Sequence, residues 1–380
     1  MAASGDCTTG LGADVTLDAT DATQVYSAVA FADGRVNVAQ NTVPASGFNV
    51  SVFNATGAAM TYADPLPYQA LPTPVQAGDS ASADFAAFTG VSLQVGASDF
   101  NNVAPAGLDT RPVITVIAAD TLLVCAGAPG ATSNCKVSTK VADQAYVRLA
   151  NIAGDANGAE LMCAHKPGAS YPKGALAGSA AVPVATVSAF IPIDASYTNF
   201  KVTPLADCTK VSSAFAAFTI AKHGYYTWAL TGRSGAYRLA QTETHATSGG
   251  AFAAVTLFNG IADATAGAAG FGASELTTDS ALDIGALGAI NTATTVSLTP
   301  DVASGLVGAQ LVVTQKPVSA SSLAVTYAAF APPQTRSSSV SLWFGGDVRA
   351  TPFVIACADD GSNVCVSTTG TLPSGPVAPN

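Results

Sequence analysis

The sequence has little charge, and most of the charge it has is negative. Only 11% of the 380 residues are charged, and 25 Asp and Glu against 15 Lys and Arg give a formal net charge of -10. A nucleic-acid-binding protein is expected to present a face rich in Lys and Arg, so this class is excluded. The chain is instead 49% hydrophobic, with 35 Gly and 21 Pro, a mixture that suits many short strands.

Long hydrophobic runs are also missing. A membrane-spanning helix needs about 20 consecutive apolar residues, whereas the best stretch, residues 251–273, is interrupted by Asn259 and Asp263. We therefore expect a soluble protein with no membrane span. Residues 1–6 show no basic or apolar segment of a secretory signal. The chain is then either a mature secreted protein with an added Met or one made without a signal, as a cytosolic or virion protein would be.

Histidine is scarce, which limits the available chemistry. The three His residues are His165, His223 and His245, and no Gly-x-Ser-x-Gly motif occurs. Nucleophilic catalysis needs a Ser or Cys beside a His and an acidic residue that orients it. We therefore predict no catalytic residue, no enzyme activity and no cofactor.

Four of the seven cysteines flank turn sequences. Cys125 and Cys135 enclose a stretch of Ala, Gly, Pro and Asn, and Cys357 and Cys365 enclose one that contains Asp-Asp-Gly. Such residues favour a tight reversal, which brings the flanking strands to the separation that a disulfide needs. We therefore predict two hairpin disulfides, Cys125–Cys135 and Cys357–Cys365.

The remaining cysteines complete the pattern. Cys163 and Cys208 form the predicted third pair, which leaves Cys7 unpaired. Paired cysteines indicate an oxidising compartment, so we expect a secreted, extracellular or cell-surface protein. The alternative is a cytosolic protein with seven reduced thiols.

A short aromatic motif occurs three times along the chain. Its copies are Phe85-Ala86-Ala87-Phe88, residues 215–218 and residues 327–330, and alternating runs at 25–29, 145–149 and 251–257 open each copy. Internal repeats of this kind indicate a repeated structural unit. We predict an N-terminal extension (1–24), three β-sandwich repeats (25–140, 141–248 and 249–370) and a C-terminal tail (371–380).

Each repeat shows the pattern of short strands. β-branched and aromatic residues alternate with smaller ones, and turn sequences such as Asp33-Gly34 separate the runs. Ala-rich stretches such as residues 280–289 contain two glycines, each of which costs about 1 kcal/mol in a helix. About seven strands in roughly 120 residues is typical of an immunoglobulin-like sandwich. We predict an all-β protein with three tandem immunoglobulin-like antiparallel β-sandwich domains.

The middle repeat resembles a known family. Residues 146–155, a strand pair within 185–202 and the closing run Tyr226–Gly232 are similar to bacterial secreted Ig-like repeats of unknown function, found in cell-surface and exported proteins. The resemblance covers about 90 residues and rests on strand patterns. It implies an exported β-sandwich and carries no activity or catalytic residue. The family opens with a His-Ala-Ser-Pro-Asp type sequence where this chain has Asn151-Ile152-Ala153-Gly154-Asp155.

Three kinds of ligand site deserve a test. Cys163 and His165 lie two apart on a predicted strand and can offer thiolate and imidazole to copper or zinc, unless a disulfide removes the thiolate. The acidic turns at 155–158 and 359–363 contain oxygen ligands that suit calcium, although Asp, Asn and Gly also form ordinary turns. Two glycosylation sequons begin at Asn49 and Asn54.

An aromatic platform for sugars is the third kind of ligand site, after the Cys–His pair and the acidic turns. Tyr225, Tyr226 and Trp228, with Trp343 and Phe344, are the candidate ligand-binding residues. Alternation along a strand buries about half of such residues. We therefore expect Trp228 to share a core-facing side with Tyr226 and Leu230.

The leading hypothesis for function is a non-enzymatic extracellular structural protein, an adhesive or filament-forming subunit. The first alternative is an exported module that binds a carbohydrate, metal or small ligand, and the second is a virion structural protein. Residues 11–20 alternate apolar with Gly or polar residues outside the three repeats. We expect self-association by addition of this strand to an open sheet edge, or association with other surface components, unless the segment folds back as the first strand of its own domain.

Overall fold

The protein is all-β, as predicted. The computed structural model describes residues 24–31, 34–66, 69–127, 134–154, 160–165, 182–197, 199–204, 214–232, 237–244, 254–261, 270–276, 281–286, 291–297, 310–316, 324–327, 339–347, 352–358 and 365–371. These residues form strands, turns and loops, and none of them lies in a helix that could cross a membrane. The chain divides into two compact units, residues 1–143 and 144–380.

The first unit contains eleven described strands. They are β1 (Gln24–Ala30), β2 (Val36–Thr42), β3 (Phe48–Asn54), β4 (Tyr62–Asp64), β5 (Gln69–Ala70), β6 (Ser80–Phe85), β7 (Ser92–Val95), β8 (Ser98–Asn101), β9 (Val113–Ala118), β10 (Thr121–Cys125) and β11 (Cys135–Thr139). β1 and β2 form a separate hairpin. One sheet has the order β11-β10-β9-β3-β6 and another has the order β5-β4-β7-β8.

The two larger sheets of this unit enclose one hydrophobic core. Val50, Val52 and Ile114 come from the five-stranded sheet, and Tyr62 and Leu93 come from the four-stranded sheet. Successive side chains of a strand point to opposite faces, so each sheet contributes alternate residues to this shared core. The arrangement is that of a β-sandwich.

The second unit contains the remaining strands. They are β12 (Gln144–Asn151), β13 (Glu160–His165), β14 (Thr186–Val187), β15 (Ile191–Asp194), β16 (Asn199–Pro204), β17 (Ala214–Ala217), β18 (Tyr225–Thr231), β19 (Arg238–Thr244), β20 (Ala254–Asn259), β21 (Gly270–Leu276), β22 (Ala281–Ala286), β23 (Thr292–Ser297), β24 (Gln310–Lys316), β25 (Ala324–Tyr327), β26 (Ser339–Gly346), β27 (Pro352–Ala358) and β28 (Cys365–Thr371).

One pattern of strand pairing occurs three times in the chain. The first repeat, β3–β11, contains β6-β3-β9-β10-β11 and β5-β4-β7-β8. The last repeat, β20–β28, contains β23-β20-β26-β27-β28 and β22-β21-β24-β25, in the same order strand for strand. In this repeat β25 also pairs with β28, so that the nine strands form one sheet. The middle repeat, β12–β19, contains β15-β12-β18-β19 and β13-β16-β17. The three predicted domain boundaries stay a prediction, as does the immunoglobulin-like class.

The prediction of purely antiparallel sandwiches was wrong in one respect. Among the described strands, each repeat contains one parallel pair, β3 with β9, β12 with β18 and β20 with β26. A parallel pair needs a long connection between its strands, and several intervening strands supply it in each repeat. Alternation along a strand determines which face is buried but not the direction of the neighbouring strand, so the sequence pattern could not distinguish the two arrangements.

The aromatic motif does not mark equivalent places in all three repeats. Its second copy lies in β17 and its third begins in β25, and these two strands occupy the same position beside β16 and β24. The first copy instead ends β6, which pairs with β3. The strand that contains Val25, β1, is likewise not equivalent to β12 and β20. The equivalent strand is β3, because it has the corresponding parallel partner. The strand pairing therefore shows the repeat, but the first copy begins at β3 and its aromatic motif lies at a different position in the sheets.

Candidate functional site

Two of the predicted disulfides are present. Cys125–Cys135 links β10 to β11, and Cys357–Cys365 links β27 to β28, with the bonded residues directly opposite in each ladder. The two hairpins occupy the same position in the first and last repeats. Cys208 and Cys7 lie outside the described residues, so the Cys163–Cys208 pair stays a prediction.

The predicted metal ligands are described only in their backbone. Cys163 and His165 lie on β13, opposite Lys201 and Asn199 of β16. The acidic turns at 155–158 and 359–363, and His245, lie outside the described residues. Within the part of the chain that is described, no three His, Cys, Asp or Glu side chains come together in a way that could hold a metal ion.

The aromatic residues proposed for sugar binding lie in the interior. Tyr225, Tyr226 and Trp228 are all buried, and Trp228 has no exposed surface. Tyr226 and Trp228 share a core cluster with Leu230, as expected. The Tyr226 hydroxyl accepts a hydrogen bond from the Ala221 backbone N–H (2.8 Å). The three side chains therefore present no exposed platform to a sugar.

The glycosylation sequons also lie in the interior. Asn54 is fully buried, and its Nδ2 donates to the carbonyl oxygens of Ala58 (2.7 Å) and Val75 (2.9 Å). Asn49 is buried as well, and its Nδ2 donates to Asp84 Oδ1 (2.7 Å). Both amides serve as structural hydrogen-bond donors and are enclosed in the folded unit.

The outer faces of the sheets that contain the parallel pairs also make apolar contacts. We call the side of such a sheet that points away from the sandwich core of its own repeat the outer face. In the second unit, the outer faces of the middle and last repeats pack on each other. The middle repeat contributes small residues, Ala150, Ala229 and Ala240, and the last repeat contributes large ones, Phe258, Trp343, Phe353 and Ile355.

Ile152 of the middle repeat packs closely against two glycines of the last repeat. A Cβ on Gly345 would lie 2.6 Å from Ile152 Cβ, and a Cβ on Gly260 would lie 2.4 Å from Ile152 Cδ1. Glycine is therefore required at position 345, where the Ile152 carbonyl oxygen also lies 2.8 Å from the added Cβ, whereas at position 260 the end of the Ile152 side chain would have to move. The Gly346 N–H also donates to the Ile152 carbonyl oxygen (3.1 Å). Apolar packing and a backbone hydrogen bond together hold the two outer faces in contact.

A buried arginine lies on the outer face of the middle repeat. Arg148 has no exposed surface, its Nε donates to Thr227 Oγ1 (2.9 Å), and its guanidinium lies 4.6 Å from the Phe190 ring centroid. Tyr146 and Tyr225 stack beside it with centroids 4.8 Å apart. Aromatic rings attract a cation electrostatically, so this cluster stabilises the charge inside the unit. Sequence analysis missed it, because Phe190 is remote from the strand pair in the chain.

The outer face of the first repeat is partly covered by the β1–β2 hairpin. Ala39 of the hairpin packs on Phe53 of β3 and Val113 of β9, with half-buried Val29 beside them. Asn37 Nδ2 donates to the Gly78 carbonyl oxygen (3.0 Å). In this hairpin only Ala39 is buried among the described side chains. The hairpin therefore covers the part of the face around Phe53 and Val113 with a small apolar contact, and half-buried Cys125 of β10 packs against the same cluster.

Comparison with known proteins assigns this chain to no family. No family model matches it, and no curated protein matches it. Among solved structures, the Bacillus anthracis TIE protein aligns over 82% of this chain and 52% of its own, at 9% sequence identity and a TM-score of 0.18. The chain spans about half the length of that protein. The strand pairings and contacts described above are therefore the basis of the functional proposal.

A buried carboxyl group lies in the first unit. Asp64, at the end of β4, is fully buried, and its Oδ1 accepts a hydrogen bond from the Leu66 N–H (3.1 Å). Burial raises the pKa of Asp64 well above its usual value, although backbone hydrogen bonds from Leu66 and Thr89 oppose the shift. Burial also raises the pKa of nearby Tyr62, and the Asp64 charge adds to that rise. The Asp64 carboxyl stabilises the turn after β4 by accepting the hydrogen bond from Leu66.

We expect Asp64→Asn to stabilise the first unit at mildly alkaline pH and to change little in acid. A carboxyl whose pKa is raised by folding favours the folded state below its unfolded pKa, and this contribution is lost as the pH rises through the folded pKa. Asn keeps the Oδ1 acceptor and does not ionise. Thermal unfolding across this pH range measures the effect, with exposed Asp120→Asn as the control. If the melting temperatures of Asp64→Asn and the natural protein change with pH in the same way, the prediction is wrong.

Proposed function

We propose that this chain is a non-enzymatic extracellular structural protein, an adhesive or filament-forming subunit built of three immunoglobulin-like β-sandwich repeats. The observation that supports it most is the packing of the outer faces of the middle and last repeats. Within this chain, the sandwich of the middle repeat binds the sandwich of the last repeat through an apolar sheet face. Residues that suggested other chemistry, such as Trp228 and Asn54, instead have structural roles in the interior.

The disulfides support the proposed location. Cys125–Cys135 and Cys357–Cys365 close equivalent hairpins in two repeats. Disulfides persist in oxidising environments such as the outside of the cell. A secreted or cell-surface protein, as in the family that the middle repeat resembles, fits this chemistry.

The proposed mode of assembly is strand addition by the N-terminal segment. Residues 11–20 have the alternation of a strand with one apolar face, and an added strand gains main-chain hydrogen bonds at an open sheet edge. The segment lies outside the described residues. Its acceptor is an edge strand of a second copy of the chain.

We expect the full chain to form oligomers or filaments, and deletion of residues 1–22 to abolish them. Light scattering at micromolar concentration measures the mass, and electron microscopy distinguishes filaments from discrete particles. A full chain that stays monomeric would overturn the structural-subunit proposal. If the truncated chain assembles like the full one, strand addition is wrong while self-association stands.

A further inference from the structure

We infer that the uncovered part of the first repeat's outer face is a docking surface for the same face of a second copy of this chain. The surface consists of Ile117 on β9, Leu123 on β10 and Val137 on β11, and we call it the first-repeat patch. The inference deepens the proposed function, because it names a surface through which subunits associate. It does not depend on the N-terminal strand.

The three residues lie on one face of the sheet. Leu123 is directly opposite Thr115 and Val137 in the register of β9, β10 and β11. Ile117 lies at an irregularity where the register of β9 with β10 shifts, and its exposure beside the core residue Val116 indicates that it is on the outer side. Val113, on this same side, packs against the hairpin residue Ala39. The first-repeat patch is thus continuous with the covered part of the outer face.

The patch is apolar and exposed. Ile117 is 47% exposed and Val137 is 61% exposed, and Leu123 is half-buried between them. No outward-facing position of β9 or β11 carries a charged residue. Neighbouring exposed apolar side chains on a sheet face favour an interaction site, and without charge two copies of this face do not repel each other.

The second unit indicates which partner fits. The outer faces of the middle and last repeats are buried against each other. The last repeat has the strand order of the first, and the middle repeat shares the parallel pair and the strand next to it. In the first repeat the hairpin cluster includes Phe53 of β3 and Val113 of β9, with half-buried Cys125 of β10 packed against it, and none of the three patch residues belongs to it. A like face from another copy is therefore the occupant that this architecture already accommodates. A twofold arrangement closes such a contact with identical surfaces on both sides.

Face-to-face docking is favoured over pairing of the β11 edges. Lys136 and Lys140 lie on or beside β11, and Lys136 Nζ donates to the Asn102 carbonyl oxygen. Lysines on an edge strand oppose the addition of another strand. Two β11 edges brought together would also place these positive charges close to each other. The partner therefore meets the face of the sheet.

The test uses the full chain with Ile117→Glu and Val137→Glu, singly and together. Sedimentation over a range of concentrations should show association weakened about tenfold or more by each change, because a carboxylate must then be buried in an apolar contact. Val43→Glu is the matched control, since Val43 is 48% exposed and precedes β3, outside the patch. Thermal unfolding should show that all variants remain folded.

A mixing experiment tests whether the partner is the same face. The Ile117→Glu/Val137→Glu chain and the Ile117→Lys/Val137→Lys chain should each be defective alone and should associate when mixed. No association of the mixture, or an equal loss in Val43→Glu, would overturn the inference. If the patch variants assemble normally and only deletion of residues 1–22 prevents assembly, the docking surface is wrong while the proposed function stands.

Discussion

Replacing Trp228 by alanine is expected to lower the free energy of unfolding of the second unit by about 3–5 kcal/mol. The indole is fully buried in the core of the middle repeat and stacks on Phe218 with ring centroids 5.7 Å apart. Its Nε1 donates to Gln241 Oε1 (2.9 Å), and Gln241 Nε2 donates to the Thr219 carbonyl oxygen (3.1 Å). Removing the ring therefore leaves a cavity and breaks a polar link between Trp228 and the segment that follows β17.

Trp228→Phe separates the two effects. Phenylalanine keeps an aromatic ring against Phe218 but leaves Gln241 Oε1 without its donor, a loss of about 1–3 kcal/mol. The chain has two Trp residues, so Trp343 fluorescence follows denaturant unfolding in both variants. An unchanged melting temperature in Trp228→Ala together with the loss of binding to a ligand would show that the core interpretation is wrong.

Local chemistry made part of this architecture predictable. The turn residues between Cys357 and Cys365 predicted the hairpin that their disulfide closes. Alternation predicted that Trp228 faces the core beside Tyr226 and Leu230. In each case the signal lies within about ten residues, the range over which strand period and turn preference act.

Long-range arrangement was not predictable in the same way. The parallel pairing of β3 with β9 joins segments separated by several other strands, and no local pattern encodes it. Asp64 resembled any turn residue, because its burial depends on strands that are distant in the sequence. The aromatic motif misaligned the first repeat, since Phe85 in β6 and Phe215 in β17 satisfy the same local pattern in different places of the sandwich.

The contact between the outer faces predicts that the middle and last repeats lose stability together. Trp343 of β26 is fully buried in that contact, against Phe258 with ring centroids 5.0 Å apart. We expect Trp343→Ala to lower the free energy of unfolding by about 3–5 kcal/mol. In this variant Trp228 is the remaining indole, so its fluorescence follows the middle repeat alone. The Trp228 transition should move to lower denaturant concentration, although the substituted residue belongs to the last repeat.

Trp343→Phe is the matched control for this prediction. Among the described residues Trp343 Nε1 has no hydrogen-bond partner, unlike Trp228 Nε1, so phenylalanine at position 343 removes a buried unsatisfied donor. The cost of Trp343→Phe should therefore be smaller than that of Trp228→Phe. If Trp343→Ala leaves the Trp228 transition in place, the shared contact contributes nothing to the middle repeat. The two repeats would then unfold independently, and a sheet face of this kind would be too weak to join separate subunits.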